Sequence, residues 1–217
     1  MAVTGALVFP AQASARTVTQ AAHSGSVTAA FSFDVSGPKY GPVYTQLRLQ
    51  ISRSGQVVYD RPMTSRYCQP SGKVPPFNRP PYGCQPGGGM LAPSVSVVGL
   101  ESSAEPSVVL SIFLGGNPCC SIEQLFSYDV GTGSYVKVEH NFGVGGVRLE
   151  PIGPSGLFDF VSADSRFFGA FTDLAGSGLP IQISEFTAGR FIDVTRHSPA
   201  LIAKDARRWW RWFTRST

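Results

Sequence analysis

The chain has 217 residues, 42% of them hydrophobic, enough for one domain with a buried core or two small ones. Charged residues make up only 15%, while Gly (24) and Pro (17) are frequent. That balance favours short strands joined by turns over helices. The net charge is +4, and residues 198–217 carry all of it: Lys204, Arg207, Arg208, Arg211 and Arg215 against Asp205, leaving 13 basic and 13 acidic residues elsewhere. A neutral body has no electrostatic reason to bind nucleic acid.

The chain opens on a short apolar run, Ala6-Leu7-Val8-Phe9, followed by Pro10 and the small-residue pattern Ala13-Ser14-Ala15. This matches the end of a secretory signal, without its basic leader, and predicts cleavage before Arg16. Residues 1–15 are therefore read as a signal-peptide remnant, and the protein as secreted and extracellular. No stretch approaches the ~18 apolar residues of a membrane span.

Val27–Val35 reads as a strand. In Tyr44–Ile51, Leu47, Leu49 and Ile51 alternate with Gln46, Arg48 and Gln50, the mark of a half-buried strand. Ser52-Arg53-Ser54-Gly55 turns it back into Gln56–Tyr59. Residues 61–93 differ in kind, with eight prolines and five glycines around Cys68 and Cys84. They predict a long surface loop with no core element, which a Cys68–Cys84 bridge would staple.

Strands resume at Ser94–Leu100, Ser107–Leu114, Ser121–Tyr128 and Tyr135–Glu139, the last two flanking Gly131-Thr132-Gly133. Further strands are predicted at Val147–Ile152, Leu157–Ser162, Phe167–Phe171, Pro180–Phe186 and Phe191–Val194. A helix closes the chain, with Ser198 at its N-cap and Pro199 at its first position. Ile202, Ala206, Trp209, Trp210 and Phe213 share one side, and Lys204, Arg208, Arg211 and Arg215 the other. Two readings of this helix stand. Either the tryptophans pack on the sheet while the arginines face water, or the helix makes a weak membrane-surface or polyanion contact.

Two segments share a pattern. One runs Gly99-Leu100-Glu101-Ser102-Ser103-Ala104-Glu105-Pro106-Ser107-Val108 and continues to Gly115-Gly116-Asn117-Pro118-Cys119-Cys120. The other runs Pro151-Ile152-Gly153-Pro154-Ser155-Gly156-Leu157-Phe158-Asp159-Phe160 and continues to Asp164-Ser165-Arg166-Phe167. Over roughly residues 44–213 the chain resembles secreted bacterial proteins with FG-GAP or VCBS-type repeats, which carry D-L-D-G-D-G-x-P-E loops and, in one branch, G-G-x-x-C-C and D-x-R-F continuations. The resemblance implies a mainly β fold of propeller-blade-like or sandwich-like antiparallel sheets with one C-terminal helix. It also implies an extracellular binding or structural module, with an unknown protein or glycan as partner.

In intact repeats, aspartates at alternate positions converge on calcium, which takes six to eight oxygens. Here Gly99, Glu101, Ser103 and Ser107 stand in the first loop, and Pro151, Gly153, Ser155 and Asp159 in the second. One or two carboxylates per loop predict that the calcium sites are lost, with no metal and no cofactor. The likeness at the Cys-Cys pair supports Cys68–Cys84 together with a vicinal Cys119–Cys120. The rival pairing joins Cys119 and Cys120 to the two loop cysteines without the strain of a vicinal ring.

No motif for catalysis is present. There is no G-x-S-x-G elbow, and His140 and His197 are read as solvated residues following strands. An alternative is a cell-envelope hydrolase using a carboxylate pair drawn from Asp159, Asp164, Asp173 and Glu185. Asp164 and Arg166, in the D-x-R-F segment, are the candidate binding residues, with a surface ion pair or a turn cap as the structural reading of the same two side chains.

Overall fold

The computed structural model describes residues 15–38, 42–68, 84–87, 93–114, 120–173 and 176–216. The predicted signal up to residue 14, most of the Pro/Gly-rich loop and Cys119 lie outside the described residues. The protein is mainly β, with three antiparallel sheets and one C-terminal helix, and no sheet of the described residues closes into a barrel or propeller.

In the first and third sheets every strand pairs with its neighbour in chain order. The first is β1 (Arg16–Ser24), β2 (Val27–Ser36), β3 (Val43–Arg53) and β4 (Gln56–Pro62). In the second, β5 (Gln85–Pro86) and β6 (Val95–Val98) share one edge of β7 (Ser107–Phe113), followed by β8 (Ser121–Asp129) and β9 (Ser134–Gly143). The third is β10 (Val147–Glu150), β11 (Asp159–Ala163), β12 (Ile181–Thr187) and β13 (Arg190–Asp193). Helix α1 spans Pro199–Ser216, and the Ser198 carbonyl accepts from the Ile202 amide at 3.1 Å, in keeping with the predicted start.

Two of the hairpins turn on two residues with positive φ, Ser54-Gly55 and Ala188-Gly189. This is the type I′ geometry, whose twist matches that of the strands it joins. In β3, Gln46 and Leu47 oppose the single residue Phe33, and Gln46 takes φ 55 to form a bulge.

The second sheet is the middle layer. Along β7, Val108, Leu110 and Ile112 point into a core shared with Phe31, Leu49 and Ile51 of the first sheet. Val109 points the other way, with Leu125 of β8, into a core shared with Phe160 and Phe186 of the third. Phe31, Ile51 and Phe160 are fully buried, each contributing about 1.5–3 kcal/mol by removal from water. The run of six buried residues from Ser107 to Ile112 thus reflects burial on both faces rather than the alternation of a half-exposed strand.

Two expectations are corrected, and one strand was not anticipated. Residues 167–171 do not form a strand: the Asp164 carboxylate accepts from the Arg166 amide and starts a one-turn 3-10 helix, Ser165–Phe167, with turns after it. The 61–93 segment does enter the core. Cys84 is buried in the first core, bridged to Cys68 with Cα atoms 5.4 Å apart, and Gln85–Pro86 pairs with β7. Strand β1, which no apolar alternation announced, completes the first sheet by pairing along its whole length with β2.

Candidate functional site

The bonding of β7, β8 and β9 sets three chemically active side chains in one row. Ser111 lies opposite Glu123, and Glu123 opposite His140. Residues opposed in this way stand on one face of a sheet, here the face turned toward the third sheet, since Val109, Leu125 and Phe142 of that face belong to the second core. Glu123 is only 1% exposed. Ser111 Oγ donates to Glu123 Oε2 at 2.7 Å, and Oε1 has no hydrogen-bond partner.

Burial dominates the carboxyl's chemistry. Desolvation pushes its pKa up to about 8, against the Ser111 hydrogen bond, which pulls it down. At neutral pH the side chain is a carboxylic acid, and Oε1 is the oxygen left to carry and donate the proton. Glu123 lies at the wall of a cleft of about 270 Å³ between the second and third sheets, lined also by Val98, Val147, Leu149, Phe158 and Phe160. The lining is apolar apart from Ser96, Ser111, Glu123 and Arg148, whose guanidinium pairs with Glu150. Small-molecule sites commonly combine an apolar wall with a few convergent polar groups.

His140 was expected in a solvated loop. It lies within β9, half-buried, its ring stacked on Phe191 at 4.4 Å and edge-on to Phe142 at 4.6 Å. Burial lowers its pKa, and the Arg66 cation lowers it further. The row does not have the order of a hydrolytic triad. There the histidine stands between nucleophile and acid, whereas here the serine bonds directly to the acid.

Asp164 and Arg166 meet in a two-pronged ion pair, Nε to Oδ1 at 2.8 Å and Nη2 to Oδ2 at 2.6 Å. The hydrogen bonds from Arg166 hold the Asp164 carboxyl below the usual range. The aspartate is buried and caps the 3-10 turn while the guanidinium lies mostly in water, so both structural readings of the pair hold at once. Of the other carboxylates, Asp159 stands on β11 and Glu185 on the neighbouring β12. Burial first, and then the Glu185 charge, raise the Asp159 pKa. Strand alternation turns Asp159 to the opposite face from Phe160, away from the cleft. Asp173 closes a local turn by accepting from the Gly176 amide at 2.7 Å.

The two segments that share a sequence pattern touch each other, Phe158 donating its amide to the Gly99 carbonyl at 2.8 Å. A Cβ on Gly99 would stand 3.0 Å from the Ser102 carbonyl oxygen and 3.1 Å from the Ser103 Cα, so any other residue there would have to push the loop backbone aside. Glu101, the one acid kept at an alternate position of the first loop, accepts from the Ala188 amide at 2.6 Å. Among the described residues no group of three or more His, Cys, Asp or Glu is placed to hold a metal. Cys120 stands in a disulfide, and Cys119 lies outside the described residues.

A second cleft, at the β3 bulge, offers less. Its charged groups are already engaged, Asp34 by Thr17 at 2.6 Å and Arg48 by Asp60 at 2.6 Å.

Nothing in the sequence singled out Glu123. The one available signal was the unbroken run of β7: a strand buried on both faces leaves its neighbour no wet side on which to place a glutamate.

No family model matches the chain, and no solved structure does. It is 29% identical over 91 residues to a probable thylakoid lumen protein of Synechocystis, a match covering 42% of this chain and 27% of that protein. It is 30% identical over 96 residues to an uncharacterized protein of Sinorhizobium fredii, covering 44% of this chain and 15% of that one. The match thus spans about a quarter of the first relative and less than a fifth of the second.

Proposed function

We propose that the chain is an exported binding module that holds a small, partly apolar molecule carrying a hydrogen-bond acceptor in the cleft between the second and third sheets. The observation that carries this reading is the Glu123 carboxyl, wholly buried at the cleft with Oε1 unpartnered. A buried polar group without a partner costs about 1–3 kcal/mol, and a ligand acceptor at Oε1 would recover it. The apolar walls supply the remaining affinity. Export is supported by the Cys68–Cys84 bridge, because disulfides persist in oxidising compartments. The relative named as a probable thylakoid lumen protein supports the same placement outside the cytoplasm. Membership among degenerate FG-GAP or VCBS-type proteins is part of the same proposal. Three up-and-down sheets, each suited to a blade-like repeat, support it.

The test is a titration of isotope-labelled protein with N-methylacetamide, N-acetylglucosamine and butyrate, followed by amide shifts. At least one compound is expected to move Ser111, Glu123 and Leu149 saturably, and Glu123→Leu to abolish the effect while keeping the fold. Three compounds without effect, or binding indifferent to Glu123→Leu, would overturn the assignment of the cleft. The hydrolase reading has one observation in its favour, the Asp159 carboxyl raised beside Glu185. Hydrolysis of aryl glycosides lost in Asp159→Asn would favour it.

A further inference from the structure

The C-terminal helix carries a second surface, independent of the cleft. At about 100° per residue its 18 residues divide into three sectors. Leu201, Asp205 and Trp209 face the third sheet: Asp205 accepts from the Ile181 amide at 2.9 Å, and Trp209 Nε1 donates to the Leu179 carbonyl at 3.1 Å. Ile202, Trp210 and Phe213 form an apolar stripe that the body leaves exposed, Trp210 by 67% and Phe213 by 56%. Lys204, Arg207, Arg208, Arg211 and Arg215 fill the remaining sector, all exposed. The reading in which the tryptophans pack on the sheet therefore holds for Trp209 and fails for Trp210.

We propose that α1 docks the protein on an anionic lipid bilayer surface. Charge complementarity argues for an anionic partner, because the +4 of the whole chain resides in this segment while the rest is neutral. The stripe argues for a bilayer. A soluble polyanion would engage the arginines and leave Ile202, Trp210 and Phe213 in water. A purely apolar partner would have no use for the charge. At a membrane interface, aromatic rings settle at headgroup depth while arginines reach the phosphates. Among the described residues no helix is long and apolar enough to cross a membrane, so this one would lie on the surface.

All three tryptophans of the chain, Trp209, Trp210 and Trp212, belong to α1, so tryptophan fluorescence, excited beyond the absorption of the seven tyrosines, reports on this helix alone. The full chain is mixed with vesicles of phosphatidylcholine containing a quarter phosphatidylglycerol, and with phosphatidylcholine alone, in low and high salt. Co-sedimentation and a blue shift are expected on the anionic vesicles, weakening as salt rises. Arg207→Gln with Arg211→Gln is expected to weaken binding about 25-fold, since each basic residue near an anionic surface contributes roughly fivefold. Trp210→Ser with Phe213→Ser is expected to abolish quenching by brominated lipids and leave only salt-sensitive adsorption. Both double variants spare Leu201, Asp205 and Trp209, and an unchanged melting curve shows that the fold survives. Failure of the wild-type protein to bind anionic vesicles in low salt would overturn the proposal. So would equal binding to neutral vesicles, retention on heparin without vesicle binding, or self-association that buries the tryptophans without lipid.

Discussion

Stability should fall steadily as the solution is made alkaline, because of a single carboxyl. Glu123 has a folded pKa of about 8 against an ordinary value of 4.5. Between those limits the folded state keeps a proton that the unfolded chain releases, so its stabilising contribution is complete below pH 4.5. It is lost at about 1.4 kcal/mol per pH unit up to pH 8, a total of about 5 kcal/mol. That is a large share of the 5–15 kcal/mol typical of a domain. The perturbation is Glu123→Gln, which keeps the shape and an acceptor for Ser111 and cannot ionise. His140 acts in the opposite direction. Its lowered pKa gives stability that is present above 6.5 and lost as the pH falls. Urea unfolding of both proteins at pH 5, 6, 7 and 8 separates the two, because the His140 contribution is common and cancels in the difference. The wild type should lose several kcal/mol relative to the variant from pH 5 to 8. Parallel curves would refute the reasoning, showing that water or a partner reaches the carboxylate.

Three other outcomes follow from the described geometry. Replacing Cys68 and Cys84 by serine should cost about 3 kcal/mol in urea unfolding, from the entropy of a loop of sequence separation 16. Asp164→Ala should cost about 1–2 kcal/mol through loss of the turn cap, and Arg166→Ala less than about 1 kcal/mol because its side chain is 78% exposed; thermal melts compare the two. Millimolar calcium should leave the melting temperature unchanged, because both acids of the first loop are already engaged, Glu101 by the Ala188 amide and Glu105 by Arg53.

Much of the fold was legible where local chemistry and tertiary demand agree. Ser54-Gly55 and Ala188-Gly189 mark hairpins because each ends on a glycine, which takes a positive φ without steric cost. Pro199 after Ser198 marks the helix start because a missing amide costs nothing there. The misses have equally local causes. The inward positions of strand β1 are Val18, Gln20, Ala22 and Ser24, of which only Val18 is a large apolar side chain, and the strand is held by pairing along its length with its partner. Phe167 and Phe171 resemble a strand in composition, yet the Asp164 carboxylate bends the backbone before one can form. The candidate site was invisible for a different reason. Ser111, Glu123 and His140 are joined only by the register of three strands, and no spacing along the chain encodes it.

The middle sheet imposes a hierarchy on how the molecule can come apart. The first sheet can peel away and uncover one face of β7 and β8 while Phe160 and Phe186 still cover the other. The third sheet can do the same from its side. Neither outer sheet can lose the middle one without losing its own core, so both cores depend on β7 and β8. Glu123 belongs to that shared element. A ligand that bonded to it would hold the unit on which the persistence of the whole fold depends.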